Sequence, residues 1–304
     1  VTATGTLTNE QLATAYISAC ESEINAFKPG NVSVHSDGHG MTVDDFYTSA
    51  AVSASPITNP SYSLGEKIFY ALKSTNAAVG CNTNLGIVLL CAPLIQSVQL
   101  DLAGTLRSRL RYVLNNTSID DADWVFRGIK LAKPAGLGEV GHQDVAQNPD
   151  VSLRDAMRIA ADCDRIAYQY VSDYEDVFEY AKNRYHTAVG QWEEETWAAV
   201  AVFVGLLAKI PDSHIERKYG DKFTRMVATR MISLDKELSH SRKPERCFSR
   251  LQKVDAEFKE AGINPGTTAD LTVATLLVVR LELLLSQHNE NKVEISECDA
   301  QQHL

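Results

Sequence analysis

Several familiar signatures are missing from this chain, and each absence removes a class of function. There is no G-x-x-x-x-G-K-[ST] phosphate loop, no H-E-x-x-H zinc motif and no G-x-S-x-G nucleophile turn. Gly136-Leu137-Gly138-Glu139-Val140-Gly141 imitates a dinucleotide fingerprint, but no strand precedes it and no βαβ unit surrounds it. The six cysteines, at 20, 81, 91, 163, 247 and 298, include no C-x-x-C pair. They read as reduced cytosolic thiols, not as a disulfide framework or zinc site. Stretches alternating apolar and polar residues between turns are nearly absent, so a sheet is not expected. No apolar run approaches the ~20 residues of a membrane span. The opening residues, Val1 to Thr8, are small and polar and do not read as a signal peptide. A net charge of −10 argues against nucleic-acid or anionic-membrane partners.

What the chain does contain is helical patterning over most of its 304 residues, 44% of them hydrophobic and 22% charged. Leu12, Tyr16, Ala19, Glu23 and Ala26 mark a first amphipathic helix that must stop before Pro29. Helices are expected over 46–54 and 64–73, with a turn region at Pro56–Pro60 between them, then over 100–114 and 119–131. Later ones cover 153–170, 177–188, 193–209, 222–238, 245–261 and 268–287. The Gly/Pro-punctuated stretch Lys133–Pro149 reads as a functional or crossing loop. Trp124, Trp192 and Trp197 sit in helical pattern as packing residues. No linker or internal repeat divides the chain. The expectation is one all-α domain over 1–304, with buried central helices and a frayed tail after about residue 290.

The most informative segment is Gly80-Cys81-Asn82-Thr83-Asn84-Leu85-Gly86, which opens the uncharged run Ile87 to Pro93. Such a run reads as a helix buried on all sides. Asn82, Thr83 and Asn84 then stand at its positive end, where either Asn82 or Thr83 caps the helix or free N–H groups meet an anion such as phosphate. Lys28-Pro29-Gly30 marks a helix stop beside a cation. His35 and His39 flank Asp37 in a Gly-containing loop that suits hydrogen bonding or acid–base work better than an i,i+4 metal pair. Asp44 and Asp45 open the next helix, as dipole partners or as Mg²⁺ ligands, since Mg²⁺ on polyphosphate takes only one or two protein carboxylates. Asp212-Ser213-His214 follows Pro211, with Arg217 and Lys218 a turn away. Asp212 can cap a short helix there; three adjacent residues cannot make a hydrolase triad. Thr267-x-x-Asp270 is placed like a capping box before Leu271.

Taken in order, Lys28-Pro29-Gly30, Asn82-Thr83-Asn84-Leu85-Gly86, Asp212-Ser213 and Asn264-Pro265-Gly266-Thr267-Thr268-Ala269-Asp270-Leu271 resemble the triphosphoribosyl-dephospho-CoA synthase family from about Glu21 to Leu285. That family typically reads Asn-Thr-His-Lys-Gly where this chain has Asn84 and Leu85, so an apolar residue replaces a cation. The variant looks like a branch of archaea and C1-metabolising bacteria. The resemblance implies transfer of the 5-triphosphoribosyl group of ATP to the 2′-hydroxyl of 3′-dephospho-CoA, releasing adenine. It implies Mg²⁺, with Glu21, Asp44, Asp45 and Glu66 as candidate ligands, and nucleotide contacts from Lys28, Gly30, Asn82, Thr83, Asn84, Gly86, Ser213, Asn264 and Gly266. Asp44, Asp212 or Asp270 would be the catalytic carboxylate, and His35 or His39 the proton donor to adenine. The expected partners are small nucleotides in the cytoplasm, with a homodimer left open. Ribosyl transfer in C1-carrier cofactor synthesis is the alternative reaction, and a non-catalytic nucleotide-binding or assembly protein the alternative class.

Overall fold

The computed structural model describes residues 7–38, 40–133 and 148–301. They form fourteen α-helices, with a π-helical and two 3₁₀ segments between them, and no strand; two isolated bridges, Ser33 with Ser36 and Gly38 with Met41, tie the loop after the first helix. The all-α expectation therefore holds. No single described helix is long and apolar enough to cross a membrane.

Helix α4 (Leu85–Gln99) lies at the centre because it has no polar face to turn outward: Gly86 to Ile95, Ser97 and Val98 are all buried. It packs against α2 (Val43–Ile57), α3 (Leu64–Val79), α5 (Leu106–Asn115), α8 (Arg165–Ser172) and α14 (Gly266–Gln301). Helix α14 crosses it and also meets α1 (Asn9–Asn25), α9 (Lys182–Trp192), α10 (Glu195–Lys209) and α11 (Ser213–Tyr219). Burial on this scale, at about 25 cal/mol per Å² of apolar surface, is the main force holding the bundle.

Pro93 sits inside α4 and cannot donate to the carbonyl one turn back. A buried tyrosine makes good the defect: Tyr170 Oη donates to Leu89 O at 2.6 Å, and beside it Tyr174 Oη donates to Leu90 O at 2.9 Å. Tyr174 and the preceding Asp173 both have positive φ, 57° and 53°, which turns the chain sharply after α8.

Several element boundaries differ from the pattern-based expectation, each for a local reason. Helix α4 begins at Leu85, not Asn82, because the three preceding side chains are engaged with neighbouring groups, as described below. Helix α2 runs through Pro56 to Ile57, since a proline in the last turn breaks little. The single helix expected over 153–170 is two, α7 (Leu153–Ala160) and α8, because Asp164 accepts from Ile166 N and Ala167 N and restarts the chain as a new cap. The segment Asp176–Ala181 is π-helical before α9 begins. Helix α5 starts only at Leu106, capped by Thr105. The last helix runs from Gly266 to Gln301; Gln287–Gln301 contains neither Gly nor Pro, and extending a formed helix is easy. Most of the Lys133–Pro149 loop, 134–147, lies outside the described residues.

Candidate active site

The site is built where four distant segments of chain meet. After α1 stops, the Lys28 side chain turns inward, 1% exposed, and its ammonium bonds the carboxylate of Glu23 in the last turns of α1. Gly30 adopts φ 84° and lies so close to Phe258 and Ile263 O that a Cβ there would be 3.0 Å from both. Its N–H donates to Asp255 Oδ1 at 2.8 Å, and Asp255 also takes the hydroxyl of Ser36 at 2.7 Å. Asn31 Nδ2 then donates to Asn264 Oδ1 at 2.8 Å, which lays the Lys-Pro-Gly loop on the Asn-Pro-Gly loop.

From that loop α14 departs, and its first turn is tied to the Asp-Ser step. Asp212 Oδ2 accepts from Thr268 N and Thr268 Oγ1, both at 2.7 Å, while Oδ1 accepts from His214 N and Ile215 N. Ser213 Oγ is 3.1 Å from Thr267 Oγ1 and accepts from Arg165 N. Gly266 lies against the His214 ring. One turn further, Asp270 reaches the start of α4: a Cβ on Gly86 would lie 2.0 Å from Asp270 Oδ2. Lys28, Asp212, Asp270 and Gly86 thus share one region.

The start of α4 is held by side chains that face its neighbours. Asn82 Oδ1 accepts from Leu85 N at 3.1 Å, and Thr83 Oγ1 pairs with Ser49 Oγ of α2 at 2.5 Å. Asn84 Nδ2 donates to Thr75 Oγ1 of α3 and reaches Ser53 Oγ, leaving Asn84 Oδ1 buried without a partner. Asn82 thus closes the first N–H of the helix, as the capping reading has it, while Asn84 makes no side-chain cap and leaves the following N–H groups open.

Electrostatically the region is an acidic cluster with few cations. Burial pushes the Asp270 carboxyl well above the usual carboxylate range, reinforced by Glu23, Asp212 and Asp164 and opposed by Arg217. Burial also raises Asp212, against the pull of its four donors. Glu23 is pushed up and Lys28 down by burial, and their contact opposes both shifts. Arg217 bonds Asp164 at 3.0 Å.

Other expected residues are placed elsewhere or already engaged. Lys28 does not extend toward solvent to meet a phosphate, because a buried ammonium takes the nearest carboxylate. Asp212 has every lone pair it can spare directed to backbone and Thr268, which makes it a bracket and not a free base. His35 is exposed and rests on the rings of Phe27 and Phe248, 5.8 and 5.6 Å away; His39 lies outside the described residues. Asp44 and Glu21 are exposed. Asp45 closes a capping box with Thr42, and Glu66 one with Ser63 at the far end of α3 from Asn82. Among the described residues no three His, Cys, Asp or Glu side chains are grouped to hold a metal ion, so Glu21, Asp44, Asp45 and Glu66 do not form a protein cage.

Glu23 and Asp255 escaped the sequence reading. Glu23 had a signal: it is an acid on the apolar stripe of Tyr16, Ala19 and Cys20, where a charge must find a buried partner. Asp255 had none, because its partner Gly30 is 225 positions away.

Comparison with known proteins identifies the family. A family model described as ATP:dephospho-CoA triphosphoribosyl transferase matches residues 9–289. None of the curated proteins matches the chain. A crystal structure from Archaeoglobus fulgidus, provisionally described as a triphosphoribosyl-dephospho-CoA synthase, aligns with TM-score 0.58 over 76% of this chain and 95% of its own. At 22% identity that likeness speaks to the fold alone. The family model spans nearly the whole sequence and all four meeting segments: the chain belongs to the ATP:dephospho-CoA triphosphoribosyl transferase family and is a transferase.

Proposed function

We propose that this protein transfers the 5-triphosphoribosyl group of ATP to the 2′-hydroxyl of 3′-dephospho-CoA or a closely related acceptor, with release of adenine. The observation that carries the reading is the meeting of Asp270 with Gly86 at the start of α4, held by Asp212 and backed by Lys28 and Glu23. Substitution at an anomeric carbon develops positive charge on the sugar, and carboxyl groups beside it suit that transition state. The N-terminus of α4 carries roughly half a positive charge and offers N–H groups for phosphate oxygens. Gly86, having no side chain, lets the Asp270 carboxyl lie against that backbone.

Mg²⁺ fits as part of the incoming Mg·ATP chelate, not as an ion resident in the four acids named from sequence, two of which are spent on capping boxes. The Asn84 and Leu85 positions, where relatives carry His and Lys, face Thr75, Ser53 and the core here. Phosphate holding therefore falls to the helix end, and the acceptor is the part of the reaction most open to change, including an acceptor from C1-carrier synthesis. Incubating the protein with Mg·ATP and 3′-dephospho-CoA, then separating products by chromatography and mass spectrometry, tests the proposal. Free adenine and an acceptor heavier by one triphosphoribosyl group are expected; release of ADP, AMP or nothing with every acceptor tried refutes it.

A further inference from the structure

Four carboxyl groups come together around the start of α4, and three of them are matched by donors. Asp212 accepts four hydrogen bonds. Asp164 accepts from Ile166 N and Ala167 N and from the Arg217 guanidinium. Glu23 is answered by the Lys28 ammonium. Asp270 is the exception: no hydrogen bond or ion pair engages its carboxyl among the described residues, although Oδ2 is packed into the space beside Gly86. The groups that face it are Glu23 from α1, Lys28 just after it, Cys91 from α4, Asp164 at the start of α8, and Asp212 and Arg217 at α11. Three acids surround it, and the two cations are already bonded to other carboxylates. A carboxyl so placed keeps its proton.

We propose that Asp270 is the acid that protonates adenine as it leaves, a role that rests on the transferase reading above. A purine anion is a poor leaving group, and a neutral carboxylic acid held beside the sugar can supply the missing proton. In the step, the C1′–N9 bond breaks and its electron pair passes to the purine, while the Asp270 proton moves to a ring nitrogen. The acceptor hydroxyl oxygen forms the new bond to C1′ and releases its proton to water. Asp270 is then reprotonated from water, so atoms and charge balance over a turnover. This moves the donor role from the histidines of the 35–39 loop to α14; His35 rests on Phe27 and Phe248, outside this cluster.

The test compares two donors: ATP, and a ribose 5-triphosphate carrying 4-nitrophenolate at C1′, which leaves without a proton. Asp270→Asn should slow adenine release by about 10²–10⁴-fold, while slowing 4-nitrophenolate release by no more than about tenfold. In the wild-type protein, kcat/KM for ATP should fall as pH rises through the Asp270 titration, and the nitrophenyl donor should lack that limb. The wild-type comparison needs no variant and decides the matter even where Asp270→Asn fails to fold. Equal losses with both donors, or the same basic limb for both, overturn the acid role and leave the transferase reading standing. Wild-type protein that releases neither leaving group overturns the transferase reading, and the acid role with it.

Discussion

The carboxyl of Asp270 fills the volume that any side chain at position 86 would need. A Cβ on Gly86 would lie 2.0 Å from Asp270 Oδ2, 2.4 Å from its Cγ and 2.7 Å from Ile166 Cδ1. Gly86→Ala should therefore push Asp270 off the start of α4. Overpacking of this kind costs about 1–3 kcal/mol. Thermal melts should show that modest loss, and adenine release should fall far more than stability does. An alanine variant with wild-type turnover would show that the Asp270–Gly86 contact is not part of the working site.

Asp212 should behave as a bracket. Removing its carboxylate in Asp212→Ala leaves the donors of His214, Ile215 and Thr268 unanswered and takes away the cap of α11. The expected cost is about 2–4 kcal/mol. Asp212→Asn keeps one accepting oxygen and should lose less stability and less turnover than Asp270→Asn loses turnover. Should Asp212→Asn abolish turnover at unchanged stability by urea titration, Asp212 would have to be reassigned to the chemistry.

Lys28 and Glu23 should be coupled in stability. Lys28→Met strands a buried carboxylate and should cost about 3–5 kcal/mol, whereas Lys28→Met with Glu23→Gln should recover much of it. Denaturant titration of the two single variants and the double gives the coupling directly. A Lys28→Met protein of normal stability that no longer binds ATP in calorimetry would instead make Lys28 a triphosphate contact.

Asp270 should leave a mark on the pH dependence of stability. Its folded pKa is raised, whereas in the unfolded chain it titrates near the ordinary value of about 3.9. A carboxyl raised in the fold contributes stability that is complete below the unfolded pKa and is lost as pH rises toward the folded one. Relative to Asp270→Asn, the wild-type protein should thus lose stability steadily as pH climbs from about 4, with no further change below it. Urea titrations of both proteins from acid to neutral pH check this; a constant difference between them would mean that Asp270 is ionised in the fold.

Much of this architecture was legible because it is written in short-range pattern. The uncharged run from Ile87 marks α4 as a buried centre, and the four Gly/Pro or Asn/Thr segments mark the ends that meet. Boundaries were read less well where side chains choose distant partners over their own helix. Asn82 or Thr83 looks like the cap by sequence; Asn82 does take the Leu85 N–H, but Ser49 claims Thr83, Ser53 and Thr75 claim Asn84, and α4 starts later. The break at Asp164 and the π-helical turn at Asp176–Ala181 depend on which neighbours those residues meet, which periodicity does not carry. Among the functional residues, Lys28 was found but not its direction. That is set by Glu23, an acid on an apolar stripe whose presence there foretells a buried cation.

The bracing of α4 by Tyr170 and Tyr174 has a consequence for the order in which the chain acquires its shape. The helix that presents Gly86 cannot satisfy its own carbonyl at Leu89; the hydroxyl that does so is supplied 81 positions later, and a second hydroxyl, 84 positions after Leu90, bonds the carbonyl next to it. On a ribosome, α4 emerges well before its menders, and such long-range contacts form slowly because the intervening loop must close first. Asp270 arrives later still. The centre of the molecule is therefore finished from its far end, and a nascent chain halted before Tyr170 would lack Asp212 and Asp270 of the site as well as the hydroxyls that brace α4.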